Sequence, residues 1–188
     1  LNFHPITPYS ISKLAAYWTI RYYREKFDLF GCNGMLFTTE SPYRHDRYLS
    51  KKVTNFVKNM KKNDILEVGN LNCCRDWIHA KDAANGIYLM LQQENPDDYI
   101  ISSNTSNTIR YLIELCFKSK NIDIEWIGDG LEEIGIDFLT KKVYITVNPN
   151  FIRPFEKNED LVGDNTKLKS IGWKCENTLE DIIEEMMV

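Results

Sequence analysis

The sequence lacks several features that define other classes of protein. None of its apolar runs approaches the roughly 18 residues that a membrane span requires. Positive charge is not in excess: 23 Lys and Arg face 27 Asp and Glu, and the net charge of −4 does not attract nucleic acid or an anionic membrane. The five cysteines are odd in number and show no metal-ligand spacing. We therefore expect a cytoplasmic protein that binds no nucleic acid, no membrane and no metal.

A glycine-rich dinucleotide loop is also missing. The pattern G-x-G-x-x-G, which follows a strand and cradles a pyrophosphate at a helix start, does not occur. We interpret as turn residues the glycines that come nearest to it, which are Gly31, Gly34, Gly128, Gly130 and Gly135. The chain begins with Leu1 in a proline-bearing segment with no strand before it. That start fits either a trimmed leader or tag, or a missing upstream part.

The features that are present favour a globular α/β fold. Apolar residues make up 43% and charged residues 27%, and 188 residues suffice for one sizeable core. Helical periodicity alternates with short apolar runs, as in folds built from strand-helix-strand units. Helices are predicted at 7–27, 49–60, 79–93 and 108–119 and after Thr178. Strands are predicted at 32–37, 65–68, 99–102 and 143–147.

Some details of these elements can also be predicted. The first helix is capped by Thr7, has Pro8 in its first turn and is expected to end at Gly31. The third helix should bury Ala83, Ile87, Tyr88 and Leu91, and the last one Leu179, Ile182, Ile183 and Met186. Most polar residues of interest lie in the loops 41–46, 69–77 and 148–156. We expect the functional site there, since sites usually lie in loops held by a rigid scaffold.

Tyr9 and Lys13 form the sharpest chemical feature of the sequence. Their spacing of four residues on a helix places the two side chains on one face, with β-carbons about 5–6 Å apart. A neighbouring ammonium stabilises the ionised phenolate, which a tyrosine must reach before it can accept a proton near neutral pH. The same spacing also occurs in solvated surface pairs, so these two residues alone do not decide between a catalytic base and a surface contact.

The residues around this pair resemble a known family. Residues 7–13, Thr-Pro-Tyr-Ser-Ile-Ser-Lys, resemble the Tyr-x-x-x-Lys helix start of the extended short-chain dehydrogenases. Further motifs are similar in order and spacing to GDP-mannose 4,6-dehydratases: Asn-Gly-Met-Leu-Phe at 33–37, Glu-Ser-Pro at 40–42, Gly-Asn-Leu at 69–71, Arg-Asp-Trp-Ile-His-Ala-Lys-Asp at 75–82 and Arg-Pro-x-Glu at 153–156. With shorter matches at 89–93, 96–99 and 147–149, the resemblance covers nearly the whole chain.

This resemblance implies a fold and a domain division. The chain would be the C-terminal part of an extended short-chain dehydrogenase Rossmann-type fold, with a small α/β substrate-binding domain. Residues 1–40 would end the dinucleotide-binding domain, and residues 41–188 would form mainly the substrate domain, with some segments returning to the Rossmann sheet. The chain would then be a fragment that is inactive alone. The resemblance further implies a homodimer or homotetramer.

The resemblance also implies a reaction. In GDP-mannose 4,6-dehydratases a bound NADP oxidises the sugar at C4, water is lost across C5 and C6, and C6 is reduced, which gives a 4-keto-6-deoxy sugar nucleotide. Tyr9 would remove the proton of the C4 hydroxyl, and Lys13 would hold the nicotinamide ribose. Arg44 matches an arginine that contacts NADP. The family's catalytic Thr and Glu precede the tyrosine by about two dozen residues, upstream of Leu1.

Substrate contacts are implied residue by residue. Arg75 and Arg153 would bind the diphosphate, because guanidinium groups pair with phosphate oxygens through charge-assisted hydrogen bonds. The full set of residues expected to bind GDP-mannose is Thr38, Glu40, Lys52, Asn70, Leu71, Arg75, Arg153 and Glu156. Among these, Asn70 and Leu71 would lie near the base and Glu156 near the ribose hydroxyls.

The match is broken in the segment 38–45. The family has Asn-His where this chain has Thr38 and Thr39, Arg at Tyr43, and Gly at His45. A threonine can make a hydrogen bond but has neither the reach of His nor the two-sided amide of Asn. We expect altered contacts with the cofactor or an altered sugar preference.

Two other functions remain compatible with the sequence. One is an epimerase or oxidoreductase of another nucleotide sugar, since these enzymes share the Tyr-x-x-x-Lys motif. The other is a non-catalytic module that binds a nucleotide sugar.

Overall fold

Helices and short strands alternate along the chain, as predicted for an α/β fold. The computed structural model describes residues 3–152 and 161–188. Its helices are α1 (Pro8–Phe27), α2 (Leu49–Asn59), α3 (Ala80–Leu91), α4 (Ile109–Lys118), α5 (Thr166–Ser170) and α6 (Leu179–Met187). Its strands are β1 (Asn33–Leu36), β2 (Thr38–Glu40), β3 (Leu66–Val68), β4 (Cys74–Arg75), β5 (Trp77–His79), β6 (Asp98–Ile101), β7 (Asn107–Thr108), β8 (Ile124–Ile127), β9 (Ile134–Asp137) and β10 (Val143–Val147).

The first helix covers the residues that the sequence predicts, up to Phe27, but a different residue terminates it. The Thr7 side chain accepts a hydrogen bond from the Ser10 amide, the Ser10 hydroxyl oxygen accepts one from the Thr7 amide, and Pro8 occupies the first turn. The helix ends at Asp28, whose φ of 53° places it in the left-handed region. The expectation that Gly31 ends the helix is therefore wrong, because a short polar aspartate also adopts this conformation.

The predicted strand at 32–37 corresponds to β1, and a second strand that was not predicted, β2, follows it after Phe37. β1 pairs in parallel with β6, and β2 pairs in parallel with β5. The change of partner occurs at Phe37, whose amide donates to the Ile101 carbonyl, while the next amide, of Thr38, donates to the Asp76 carbonyl. Periodicity could not reveal β2, because only Phe37 separates it from β1 and the change of pairing partner depends on residues distant in sequence.

A four-stranded sheet in the order β3-β10-β9-β8 forms the second half of the architecture. β10 pairs in parallel with β3 and antiparallel with β9, and β8 pairs antiparallel with β9. The sequence analysis predicted β3 and β10 but not the β8–β9 pair. Gly128 and Gly130, with φ of 82° and 58°, are turn residues between these two strands, as predicted. Gly135 and Gly34 lie inside β9 and β1 instead, so the prediction of turns there is wrong.

Two hydrophobic clusters hold the chain together. The larger joins α2, α4 and α6 to β3 and β10 and includes Val53, Leu112, Phe117, Ile145 and Ile183. The smaller joins α3 to β6 and α5 and contains the buried Trp173. The predicted inward face of α6 is confirmed, since Leu179, Ile182, Ile183 and Met186 are all buried.

The predicted inward face of α3 is only partly right. Ala83 is buried, but Tyr88 and Leu91 are 61% and 46% exposed. The helix instead buries Asp82, Gly86 and Met90. The Asp82 carboxylate accepts hydrogen bonds from the amide and side chain of Asn177. The buried face of α3 therefore includes a polar residue and differs from the face that the spacing of apolar residues predicts.

No helix in residues 3–152 and 161–188 combines the length and apolar character needed to cross a bilayer. The same residues contain no group of three or more His, Cys, Asp or Glu side chains that could hold a metal ion.

Phe117→Ala is expected to destabilise the protein by about 3–5 kcal/mol, because it leaves a cavity in the larger cluster. Phe117 is fully buried, and its ring packs against Tyr144 and Phe56 at centroid distances of 5.3 and 6.3 Å. Urea denaturation measures the loss. The exposed Tyr88→Ala serves as control and should stay within about 0.5 kcal/mol of the parent. Equal effects of the two substitutions would contradict the assigned core.

Candidate substrate and catalytic site

One cavity gathers most of the residues predicted to bind substrate. It has a volume of about 710 Å³ and lies between β2, the start of α2, the loop 69–77 and residues 150–152. Its lining includes the predicted residues Thr38, Glu40, Arg44, Lys52, Asn70 and Arg75. Leu71 is buried beside it and does not line it. Arg153 and Glu156 lie outside the described residues.

A second cavity, of about 520 Å³, shares Trp77 with the larger one. Its lining includes Ser103, Asn107, Tyr111 and Asn177 but none of the predicted site residues. The chemistry suggested by the sequence therefore belongs to the larger cavity.

Glu40 is the buried carboxylate of the larger cavity, with 3% of its surface exposed. It ends β2, and its Oε2 accepts a hydrogen bond of 2.6 Å from the Ser50 hydroxyl on α2. The Arg44 Nε lies 3.5 Å from the same oxygen. Burial raises the pKa of Glu40 above its ordinary value, and this effect outweighs the Ser50 hydrogen bond and the Arg44 charge, which both lower it. A carboxyl of this kind can bind a sugar hydroxyl in either protonation state.

Arg44 lies in this cavity beside the residues predicted to bind substrate. Its guanidinium carbon lies 3.6 Å from the centroid of the Tyr48 ring, a stacked cation–π contact. Its Nε is buried and has no hydrogen-bond partner among the described residues. The guanidinium is thus fixed in position by stacking and by the charge of Glu40 while keeping hydrogen-bonding capacity.

Lys52 is held against the wall formed by β3 and Phe151. Its Nζ donates to the Glu67 carbonyl at 2.7 Å and lies 4.2 Å from the centroid of the Phe151 ring. Burial lowers the pKa of Lys52, and the carboxylate of Glu67 acts in the opposite direction. A phosphate bound in the cavity would supply a negative charge and so offset the cost of burying the Lys52 ammonium.

The loop 69–77 is attached to the start of α4. The Arg110 and Ile109 amides donate to the Leu71 and Cys73 carbonyls, each at 3.0 Å. Within the loop, the Asn70 Oδ1 accepts from the Asn72 amide at 3.0 Å. The bonds from Arg110 and Ile109 satisfy amides that a helix start otherwise leaves unpaired.

Gly69 fits this loop because its backbone passes close to that of Phe151. A β-carbon at this position would lie 2.5 Å from the Phe151 carbonyl oxygen. Arg75, at the other end of the loop, donates from Nη1 to the Cys73 sulfur and the Cys74 carbonyl at 2.6 and 2.7 Å. Both ends of the loop are therefore fixed beside the cavity.

Asp76 and Ser50 are buried polar residues that the sequence analysis missed. The Asp76 carboxylate accepts hydrogen bonds from the Ser103 amide and hydroxyl, the Asn104 amide and the Gly163 amide, at 2.7–3.1 Å. A signal for Asp76 exists in the sequence, since a charged residue directly before the apolar pair Trp77 and Ile78 must find donors if it is buried. For Ser50 the sequence holds no comparable signal.

Tyr9 and Lys13 face the same side of α1, as predicted. The Lys13 Nζ lies 5.5 Å from the centroid of the Tyr9 ring, and Tyr9 is 71% exposed. Neither residue lines the larger cavity. The pair is accessible to a ligand, but the described residues do not by themselves enclose it.

The positions that depart from the family pattern have local roles. Thr38 lines the larger cavity, and the Thr39 hydroxyl donates to the Phe37 carbonyl at 3.2 Å. Tyr43 is exposed, and the His45 Nδ1 accepts from the Arg47 amide at 3.3 Å. Thr39 and His45 thus use hydrogen-bonding groups to stabilise the backbone of this segment.

Comparison with known proteins identifies the family. A family model described as GDP-mannose 4,6 dehydratase matches residues 1–186. The chain belongs to the GDP-mannose 4,6-dehydratase family. A GDP-mannose 4,6-dehydratase from Sinorhizobium fredii is 37% identical over 98% of this chain and 53% of its own length, and one from Dictyostelium discoideum is 36% identical over 98% and 52%. The chain spans about half the length of these relatives.

Solved structures agree on the fold. RMD from Pseudomonas aeruginosa, complexed with NADPH, superposes with a TM-score of 0.79 at 21% identity, over 100% of this chain and 56% of its own. The dTDP-glucose 4,6-dehydratase from Bacillus anthracis, in complex with NAD, gives 0.78 at 17% identity, over 99% and 52%. The predicted extended short-chain dehydrogenase, Rossmann-type fold is thereby confirmed for this dehydratase family member.

Glu40 provides a prediction about pH. Because its pKa is raised in the folded state, the folded protein holds this proton more tightly than the unfolded one, and the contribution of Glu40 to stability is lost as pH rises through its folded pKa. Glu40→Gln lacks this titration. The unfolding free energy of the Glu40→Gln variant, measured by urea denaturation and compared with that of the parent, should therefore shift in favour of the variant as pH rises from about 4 towards about 8.

The exposed Glu94→Gln is the control, since it removes a carboxylate from the surface. A Glu40→Gln difference that stays constant with pH, or that matches the control, would contradict the burial effect.

Proposed function

We propose that this chain is the substrate-binding and proton-transferring half of an enzyme that converts GDP-mannose to its 4-keto-6-deoxy product. The observation that carries the proposal is the larger cavity. Residues from β2, α2 and the loop 69–77, separated by up to 39 positions, meet there with the residue types that a sugar diphosphate needs. Membership of the GDP-mannose 4,6-dehydratase family supports this substrate.

Electrostatics support a diphosphate ligand. The chain has a net charge of −4, yet the larger cavity contains Arg44, Arg47, Lys52 and Arg75 against one lining carboxylate among the described residues, that of Glu40. Cations collected in a concave site attract an anionic ligand even when the whole protein is acidic. We assign the diphosphate to Arg75 and Lys52, the base to Asn70, and the sugar to Thr38 and Glu40. Leu71, which does not line the cavity, and Arg153 and Glu156 remain predictions.

Proton transfer is assigned to Tyr9. Its exposed phenol can accept the proton of the sugar C4 hydroxyl, and the Lys13 ammonium lies beside the ring, 5.5 Å from its centroid. The accessible Tyr9–Lys13 pair fits a bound NADP, with Lys13 on the nicotinamide ribose and Arg44 as a further contact. When bound, NADP supplies the hydride acceptor at C4 and the donor at C6.

The remaining machinery would come from beyond this chain. Because the chain spans about half of its relatives, we propose that it acts with a dinucleotide-binding part that corresponds to their other half. Residues 1–40 would complete that part, and residues 41–188 would form mainly the substrate domain. We propose a homodimer or homotetramer in the cytoplasm. Exposed aromatic residues on α1, including Trp18, Tyr22 and Phe27, offer surface for such contacts.

Tyr9→Phe tests the catalytic assignment. In the complete gene product, loss of the phenol should lower kcat for GDP-mannose dehydration by about 10²–10⁴-fold, because only the proton acceptor is removed. Formation of the 4-keto product is the measurement. The control is Tyr22→Phe, which removes an exposed phenol from the same helix and should leave kcat within about twofold. If Tyr9→Phe retains full activity, Tyr9 is not the base.

Lys52→Met tests the diphosphate assignment. Loss of the ammonium should raise KM for GDP-mannose by roughly tenfold or more with a smaller change in kcat, since a charge-assisted contact to phosphate is removed. Lys58→Met, at an exposed position of the same helix, is the matched control. An unchanged KM in Lys52→Met would show that the diphosphate does not bind at Lys52.

The alternative function has its own test. If the parent protein prefers UDP-sugars to GDP-mannose, an epimerase is favoured over the dehydratase.

A further inference from the structure

Arg110, which no sequence motif singled out, is held from three sides. Its Nη1 and Nη2 donate to the two carboxylate oxygens of Glu133 at 2.6 and 3.1 Å. Its Nη2 also donates to the Asn72 Oδ1 at 3.0 Å, and its guanidinium carbon lies 4.6 Å from the centroid of the Trp126 ring. A bidentate pair that is also stacked on an aromatic ring has one favoured geometry.

These contacts connect the region of β8 and β9 to the loop 69–77, which follows β3 at the opposite edge of the same sheet. Glu133 directly precedes β9 of the four-stranded sheet, and Trp126 lies in β8. Asn72 lies in the loop 69–77, which contributes Asn70 and Arg75 to the larger cavity. Arg110 is therefore a bridge from β8 and β9 to this loop, in addition to the chain connection from β3. The Arg110 side chain is 24% exposed and that of Glu133 only 9%, so the pair is largely shielded from solvent screening.

Arg110 binds the loop 69–77 through both its backbone amide and its side chain. The Arg110 amide donates to the Leu71 carbonyl at 3.0 Å, while its guanidinium holds the Asn72 side chain. The Asn72 amide in turn donates to the Asn70 Oδ1 at 3.0 Å. The directions of the polar groups at Asn70, Leu71 and Asn72 thus depend on where Arg110 is fixed.

We propose that Arg110, with Glu133, is a positioning residue for recognition of the nucleotide base. This inference rests on the proposed function, which assigns the base to Asn70. A guanine is distinguished from a pyrimidine by hydrogen bonds in fixed directions, and a site built to make such bonds rejects ligands that leave its polar groups unpaired. Loosening the loop removes this discrimination without removing any group that touches the diphosphate.

The test is the preference of the complete gene product for GDP over UDP, from dissociation constants measured by calorimetry. Arg110→Lys cannot hold both Glu133 oxygens and Asn72, because an ammonium lacks the planar fork of the guanidinium. We expect its affinity for GDP to fall about tenfold, and that for UDP to change by less than about twofold, so that the preference narrows. KM for GDP-mannose should rise accordingly, with kcat changed by less than about twofold.

Two variants separate positioning from general loss of stability. Glu133→Gln weakens the same bridge from its other end and should narrow the preference in the same way, even if Arg110→Lys does not fold. Arg24→Lys alters a comparable shielded pair, in which Arg24 Nη2 lies 2.6 Å from the Asp98 Oδ1 and both side chains are 15% exposed. It should lower stability and leave the GDP:UDP preference intact.

The outcomes distinguish this inference from the function on which it rests. If the parent protein does not prefer GDP over UDP, the assignment of GDP-mannose as the substrate is wrong, and the proposed function with it. If the parent prefers GDP and both bridge variants keep that preference, only the positioning role is overturned. If the preference for GDP over UDP also narrows in Arg24→Lys, the positioning role is overturned. The effect would then be caused by a general loss of stability.

Discussion

The Asp76 carboxylate is the constraint on which the site depends. It has no exposed surface, and it accepts hydrogen bonds from Ser103, Asn104 and Gly163, while its backbone carbonyl accepts the Thr38 amide at 3.1 Å. A buried charge with too few donors would be costly, so these segments must all be in place for the fold to be stable. Asp76 thereby brings β2, the segment after β6 and Gly163 to one point. Its neighbours in sequence, Arg75 and Trp77, both line the larger cavity. The hydrogen bonds that the buried Asp76 requires for folding therefore also fix the positions of two residues of the site.

The larger cavity combines fixed charges with satisfied polar groups. Lys52 and Arg75 are each held by backbone carbonyls, and Glu40 is held by the Ser50 hydroxyl. Side chains fixed in this way lose less conformational entropy on binding a ligand, which favours affinity. The loop that carries Arg75 is also fixed in position. It is hydrogen-bonded to the start of α4 and, through Arg110, connected to the four-stranded sheet. The position of the site is therefore set by elements that belong to the main core of the protein.

Periodicity and capping chemistry predicted the parts of the fold that obey local rules. The caps at Thr7 and Thr178 and the buried stripe of α6 follow from residue type and spacing alone. What could not be predicted depends on contacts distant in sequence: the partner switch at Phe37, the exposure of Tyr88, and the β8–β9 pair. For the site, motif resemblance indicated the residues that the larger cavity collects, because motifs record residue types at fixed spacing. The bonds that fix them, from Ser50 and Arg110, join residues 10 to 38 positions apart and leave no local pattern.

The central claim is that the larger cavity binds a sugar nucleotide by its diphosphate. A crystal structure of the complete gene product with GDP-mannose tests it most directly. The account predicts the diphosphate within hydrogen-bonding distance of Lys52 and Arg75, with the base against Asn70 and the sugar near Glu40. A nucleotide bound in the second cavity beside Ser103 and Tyr111, or bound with its diphosphate away from both cations, would contradict it.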